Sequence, residues 1–202
     1  MDGLFFYWIL WIAWVLVMFF VPKETEFRYP FLFHILAVIL FSTYKLHLFS
    51  FKINLACIYT LIFCFYYHRK LSVWKLTYLI LGSAILALGL TSFQLFSMLD
   101  PVWLVVSPAA LLGVLINYVA VLLFDNWRTR FTGILIALII GDCLFAGILV
   151  FNSMPYEAGS HAWLDTAMVA ILINVGWTSL ETVSRVLHTQ ALLRFGQKER
   201  QV

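Results

Sequence analysis

Residues 131–151 read FTGILIALIIGDCLFAGILVF, with Asp142 as the only charged side chain among them. A hydrocarbon layer of about 30 Å is crossed by about 20 consecutive apolar residues in a helix, and this run meets that length. The pattern recurs in both directions. Apolar runs cover residues 4–21, 31–49, 53–67, 76–99 and 102–124 before it and 163–187 after it, with Pro22 and the pair Asp100–Pro101 in the breaks. The expected fold class is all-α: a polytopic transmembrane helix bundle forming a single integral membrane domain over residues 1–202.

Composition points the same way. The chain of 202 residues carries 13 Lys and Arg and 10 Asp and Glu, 11% charged against 63% hydrophobic. A soluble domain has roughly 25% charged residues to cover its core. The net charge of +3 is not the footprint of a nucleic-acid partner. The cations stand singly or in pairs at the ends of apolar runs, where they anchor helices in headgroups and set topology. No basic region precedes residues 4–21, so the first helix is expected to stay in the mature protein. Cys57, Cys64 and Cys143 lie inside apolar runs without a CxxC pair, which reads as three buried thiols rather than a redox or metal centre. No cofactor is implied, and the partner implied is the lipid bilayer, with another membrane protein or a second copy as further contacts.

The span count turns on residues 31–67. As one helix they would reach roughly 55 Å, too long for a single crossing. Two helices joined near Ser50 are expected, with Lys45 and Lys52 snorkelling to headgroups. With seven spans, Lys45 and Lys52 lie on one side and the other 11 of the 13 Lys and Arg on the opposite side, so the positive-inside rule places the C-terminus in the cytoplasm and the N-terminus outside. Six spans give the same 11 to 2 with the N-terminus inside. Seven is the preferred count. Trp103 and Trp163 are expected at the outer interface and Trp74 and Trp127 at the inner one. Trp8, Trp11 and Trp14, three apart, form a stripe read as packing or lipid contact.

Asp142 is the candidate for chemistry. A carboxylate within a spanning helix is costly and should face protein or water. Asn117 and Asn174 fall at similar depth on the neighbouring runs, so a hydrogen-bonded Asn117–Asp142–Asn174 cluster is expected, as glue between helices or, alternatively, as a proton or ion path. Ala167, Ala170, Asn174, Thr178, Glu181 and Arg185 share one face of the last helix. Gly133, Ala137 and Gly141 on the sixth run, and Ala109, Gly113 and Asn117 on the fifth, offer close approach. Helices five to seven are therefore expected to form the packed core, with Pro108 bending the fifth. Glu181 and Arg185, four apart, read as an interfacial ion pair.

Known membrane chemistries fail on motif. Leu180 precedes Glu181 where a CAAX-type protease has a second glutamate, and no paired-histidine motif follows. No HExxH occurs. Gly141–Asp142 lacks the glycine two positions earlier that presenilin-like proteases carry, and Asp165 lies near a helix end. The five histidines, His34, His47, His68, His161 and His188, are expected near segment ends, unsuited to haem. No inverted repeat suggests a transporter.

The opening Tyr7–Trp8 with Trp11 and Trp14, the Lys23–Glu24 loop with Arg28, and the string of short hydrophobic spans resemble the YphA-type membrane proteins of spore-forming Gram-positive bacteria. That resemblance implies a multi-pass cell-membrane protein and brings no activity or site residues. The expectation for function is a non-enzymatic accessory or scaffold protein working through helix–helix contacts. The alternatives are a small proton-coupled transporter or channel using Asp142, and an intramembrane enzyme, for which no complete motif exists.

Overall fold

The computed structural model describes residues 2–48, 51–100, 102 and 107–199. Ser50, Trp103 and Arg200 lie outside them. Seven helices follow in order: α1 (Leu4–Phe20), α2 (Arg28–Phe41), α3 (Leu55–His68), α4 (Val73–Leu99), α5 (Pro108–Leu123), α6 (Trp127–Phe151) and α7 (His161–Glu199). Three segments, Val73–Leu99, Trp127–Phe151 and His161–His188, are long and apolar enough to cross a membrane. The other four helices are apolar but shorter.

The chain is mostly helical, as expected, with one small sheet added. The connection between α2 and α3 is a hairpin of β1 (Lys45–Leu48) and β2 (Phe51–Asn54), and β3 (Glu157–Ala158) adds to it in parallel. The sequence 45–54 (KLHLFSFKIN) alternates around its lysines with period two, which suits a strand rather than a helix. The expected helix over 31–49 therefore stops at Phe41. Lys45 does not simply snorkel, because its ammonium meets the Glu157 carboxylate at 2.8 Å. Asn54 ends the hairpin by capping α3: its Oδ1 accepts from Ala56 N at 2.9 Å and its Nδ2 donates to the Ser42 carbonyl at 3.0 Å.

Successive helices run in alternating directions. The sheet marks one end of the bundle, where α1 begins, α2 ends, α3 begins, α6 ends and α7 begins. Asp165 on α7 accepts from Gly3 N at 2.7 Å and Phe6 N at 2.8 Å, so a side chain from the last helix caps the first. The opposite end holds buried arginines. Arg28 folds back and donates to the Met18 carbonyl at 2.5 Å, closing the last turn of α1.

Packing departs from a core of helices five to seven. α6 lies chiefly against α4, and α5 against α7. A β-carbon on Gly141 would sit 2.9 Å from Leu90 Cδ2 and 3.0 Å from the Ala87 carbonyl oxygen, and one on Gly133 would sit 2.5 Å from the Phe124 ring. The small-residue face of α6 thus admits the α4 backbone and an aromatic plug rather than α7. Gly113 on α5 does meet α7, where Ile173 Cδ1 would lie 2.8 Å from an added β-carbon. Pro108 does not bend α5. It stands at the first helical position, where its missing N–H would be unpaired in any case.

Candidate functional site

Asp142 is 1% exposed, and its two oxygens have different partners. Oδ1 accepts from the Tyr156 hydroxyl at 2.7 Å, and Oδ2 accepts from Gly159 N at 2.6 Å. Both donors belong to the connection between α6 and α7, which turns back into the bundle to reach a carboxylate nine residues before the end of α6. Gly159 makes that descent possible. Its φ of +73° is left-handed, and a β-carbon there would lie 2.5 Å from Cys57 Sγ and 2.9 Å from Asn54 Cβ. Only glycine combines that backbone with that clearance. Burial, followed by the adjacent carboxylate, pushes the Tyr156 phenol well above its ordinary range, so it remains a proton donor to Asp142 at any physiological pH.

The three-residue cluster expected from sequence does not form. Among the described residues no hydrogen bond joins Asp142 to Asn117 or Asn174. Asn117 Nδ2 instead donates to the Gly113 carbonyl at 2.7 Å and the Ala170 carbonyl at 2.8 Å, tying α5 to α7. Its Oδ1 is buried without a partner, as is Asn174 Nδ2 one turn along from Ala170. The split follows from packing, since α6 lies mainly against α4 while the asparagines face one another's helices across the α5–α7 contact. The residues expected to form one cluster thus act at separate places, Asn117 within the α5–α7 seam and Asp142 binding a loop to α6.

A second polar group sits at the arginine end. Arg130, 2% exposed, grips Glu181 with both terminal nitrogens at 3.1 Å each. Trp177 Nε1 donates to the same carboxylate at 2.6 Å. Glu181 thus has a cation beyond the expected Arg185. The bidentate partner of Glu181 comes from α6, and Arg185 acts on it through its charge. Nothing local in the sequence marks Arg130, which is 51 residues away and looks like an ordinary interfacial cation. Nearby, His68 Nε2 and Thr132 Oγ1 lie 2.7 Å apart, joining α3 to α6.

One histidine also departs from its expected place. His34 stands in the middle of α2 rather than at a segment end, and its Nδ1 pairs with the Tyr59 hydroxyl of α3 in a short hydrogen bond. Cys57 and Cys64 are buried and Cys143 is half-buried, all three as free thiols. Among the described residues no group of His, Cys, Asp and Glu is arranged to hold a metal ion.

The family model for YphA-like integral membrane proteins matches residues 2–202. A relative in Bacillus subtilis (strain 168), described as "Uncharacterized protein YphA", is 22% identical over 181 residues, covering 90% of this chain and 89% of the relative. No solved structure matches the chain.

Proposed function

We propose, from the premise that the chain belongs to the YphA-like integral membrane protein family, that it is a multi-pass scaffold of a bacterial cell membrane that works by helix–helix contact, its contact face being α7 and the first occupant of that face a second copy. One observation carries this reading. Leu172, Gly176, Leu180, Val183 and Leu187 recur at spacings of three and four along α7 and are all exposed, and an added β-carbon at Gly176 would meet nothing within 4 Å. The charged residues Glu181 and Arg185 fall on the other side of the helix. Copies inserted in one orientation present α7 in parallel and in register. A stripe at this spacing around a glycine suits that geometry.

Asp142 supports a structural over a transporting role, because both of its oxygens are already committed to the α6–α7 connection. All seven helices cross the membrane in this reading, with the N-terminus outside and the C-terminus cytoplasmic. The parallel β2–β3 pairing supports it. The connections 42–54 and 152–160 must lie on one side of the bilayer to pair, which an alternating seven-helix path gives.

Cysteine crosslinking in native membranes tests the contact. Val183→Cys should give a product of twice the monomer mass under mild oxidation, while Arg185→Cys, on the opposite face, should not. Absence of the double-mass product, or a product of another mass, would overturn the self-contact.

A further inference from the structure

His34 and Tyr59 form an unexplained polar pair on the α2–α3 face. His34 is six residues from the start of α2, about 9 Å along the axis, and seven residues from its end. Within the bilayer topology proposed above, on which this inference rests, that depth is hydrocarbon. His34 Nδ1 is taken by Tyr59. Its Nε2 has no hydrogen-bond partner among the described residues, and the residue is half-buried. A ring nitrogen opening onto lipid without a partner is unfavourable, and an intramembrane histidine therefore calls for a ligand or relay.

The surroundings narrow the ligand. The Phe63 ring lies 4.0 Å from the His34 ring, with Phe33 and Tyr59 at 5.9 Å and Phe41 tilted at 48°, 5.0 Å from Tyr59. All are partly or largely exposed. Partly exposed aromatic rings around one imidazole offer edge and face contacts to a planar guest. Phospholipid ester and phosphate oxygens sit at the interface, too shallow to reach this nitrogen. The membrane-phase molecule that combines a flat ring with a hydrogen-bonding oxygen at this depth is a quinone. The neutral imidazole suits both of its forms: Nε2 donates to a quinone carbonyl when Tyr59 donates to Nδ1, and accepts from a quinol hydroxyl when Nδ1 holds the proton.

We infer that the α2–α3 face is a binding site for a lipid-soluble quinone, held by His34 Nε2 and the aromatic rings around it. The test uses the full chain purified in mild detergent with a short-chain azido-quinone as photoprobe. Saturable labelling confined to peptides of residues 28–68 and competed by unlabelled short-chain quinone is expected. His34→Phe, which keeps a ring but removes both nitrogens, should weaken it about tenfold, the scale of one lost hydrogen bond. Tyr59→Phe should weaken it less while retaining the unfolding temperature, which keeps the test valid if His34→Phe misfolds. Absence of saturable labelling, labelling elsewhere, or variants that bind as the parent does would overturn the site. So would a His34→Phe protein whose oligomeric mass changes without quinone, because Nε2 would then belong to another helix. Topology is read separately by cysteine labelling, so failure of the site and failure of the spans are distinguishable.

Discussion

Asp142 accepts two hydrogen bonds from a loop, and substitutions there divide by whether they can still do so. Asn keeps the size and one acceptor. Its oxygen can take Gly159 N while its amide donates to the Tyr156 oxygen, so Asp142→Asn should leave stability within about 1 kcal/mol of the parent. Leu offers neither. It strands the buried Gly159 N–H, at about 1–3 kcal/mol, and removes one partner of the part-buried Tyr156 hydroxyl, so Asp142→Leu should lower the unfolding temperature in detergent clearly below that of Asp142→Asn. Equal stability for the two would show that the loop does not depend on this carboxylate. Proton uptake by vesicles holding the purified protein, lost on Asp142→Asn at normal abundance, would replace the structural role with a titrating one. Gly159→Ala should destabilise on its own, since the β-carbon meets Cys57 Sγ at 2.5 Å in a left-handed backbone. A parental unfolding temperature for this variant would mean that the loop does not pack against Cys57 and Asn54.

Among the elements, α6 and α7 depend on the Arg130–Glu181 grip for their alignment at the arginine end. Arg130 is almost wholly buried while the Glu181 side chain keeps a quarter of its exposure, so deleting the carboxylate leaves the more costly orphan. Glu181→Leu alone should destabilise by about 3 kcal/mol, and Arg130→Met with Glu181→Leu should recover much of it. A double variant no better than the single one would place the role in Trp177 or in packing instead. α4 and α6 end at Leu99 and Phe151, where their hydrophobic runs end, but begin three and four residues before those runs, at Val73 and Trp127, in polar segments that hydropathy does not mark. The hairpin was not legible in the sequence, because Lys45 and Lys52 inside a hydrophobic stretch look like interface anchors when the sheet partner, β3, lies more than a hundred residues away. The partners of Asp142 were hidden for a related reason. Tyr156 and Gly159 stand in a connection that reads as a solvent loop, and only the left-handed turn at Gly159 lets it descend to the carboxylate. Asn117 was legible as glue, since its spacing from Gly113 set it on the close-contact face, but its true acceptor is a backbone carbonyl of α7 that no side-chain pattern reveals.

At the scale of the whole molecule, the proposal of seven crossings must reconcile the short helices with the bilayer. α2 and α3 have 14 residues each, about 21 Å of helix against a hydrocarbon layer of about 30 Å. The sheet makes up part of that difference, because irregular backbone at membrane depth is tolerated where protein covers it, and Asn54 and Ala158 are fully buried. The sheet supports the seven crossings proposed above over six. In a six-span path the connection 42–54 is cytoplasmic and the connection 152–160 is external, and strands on opposite faces of a membrane cannot hold the Lys52–Glu157 and Ile53–Ala158 register. Single cysteines read this directly with a membrane-impermeant maleimide on intact cells. Thr43→Cys and Asn152→Cys, both exposed at the sheet end, should label from outside. Glu26→Cys and Lys70→Cys should label only after permeabilisation. Asn152 and Lys70 fall on the same sides in either scheme and serve as controls, so the exchange of Glu26 and Thr43 is what discriminates. External labelling at Glu26 with protection at Thr43 would establish six spans and, with them, a sheet that cannot form in the membrane as it does here.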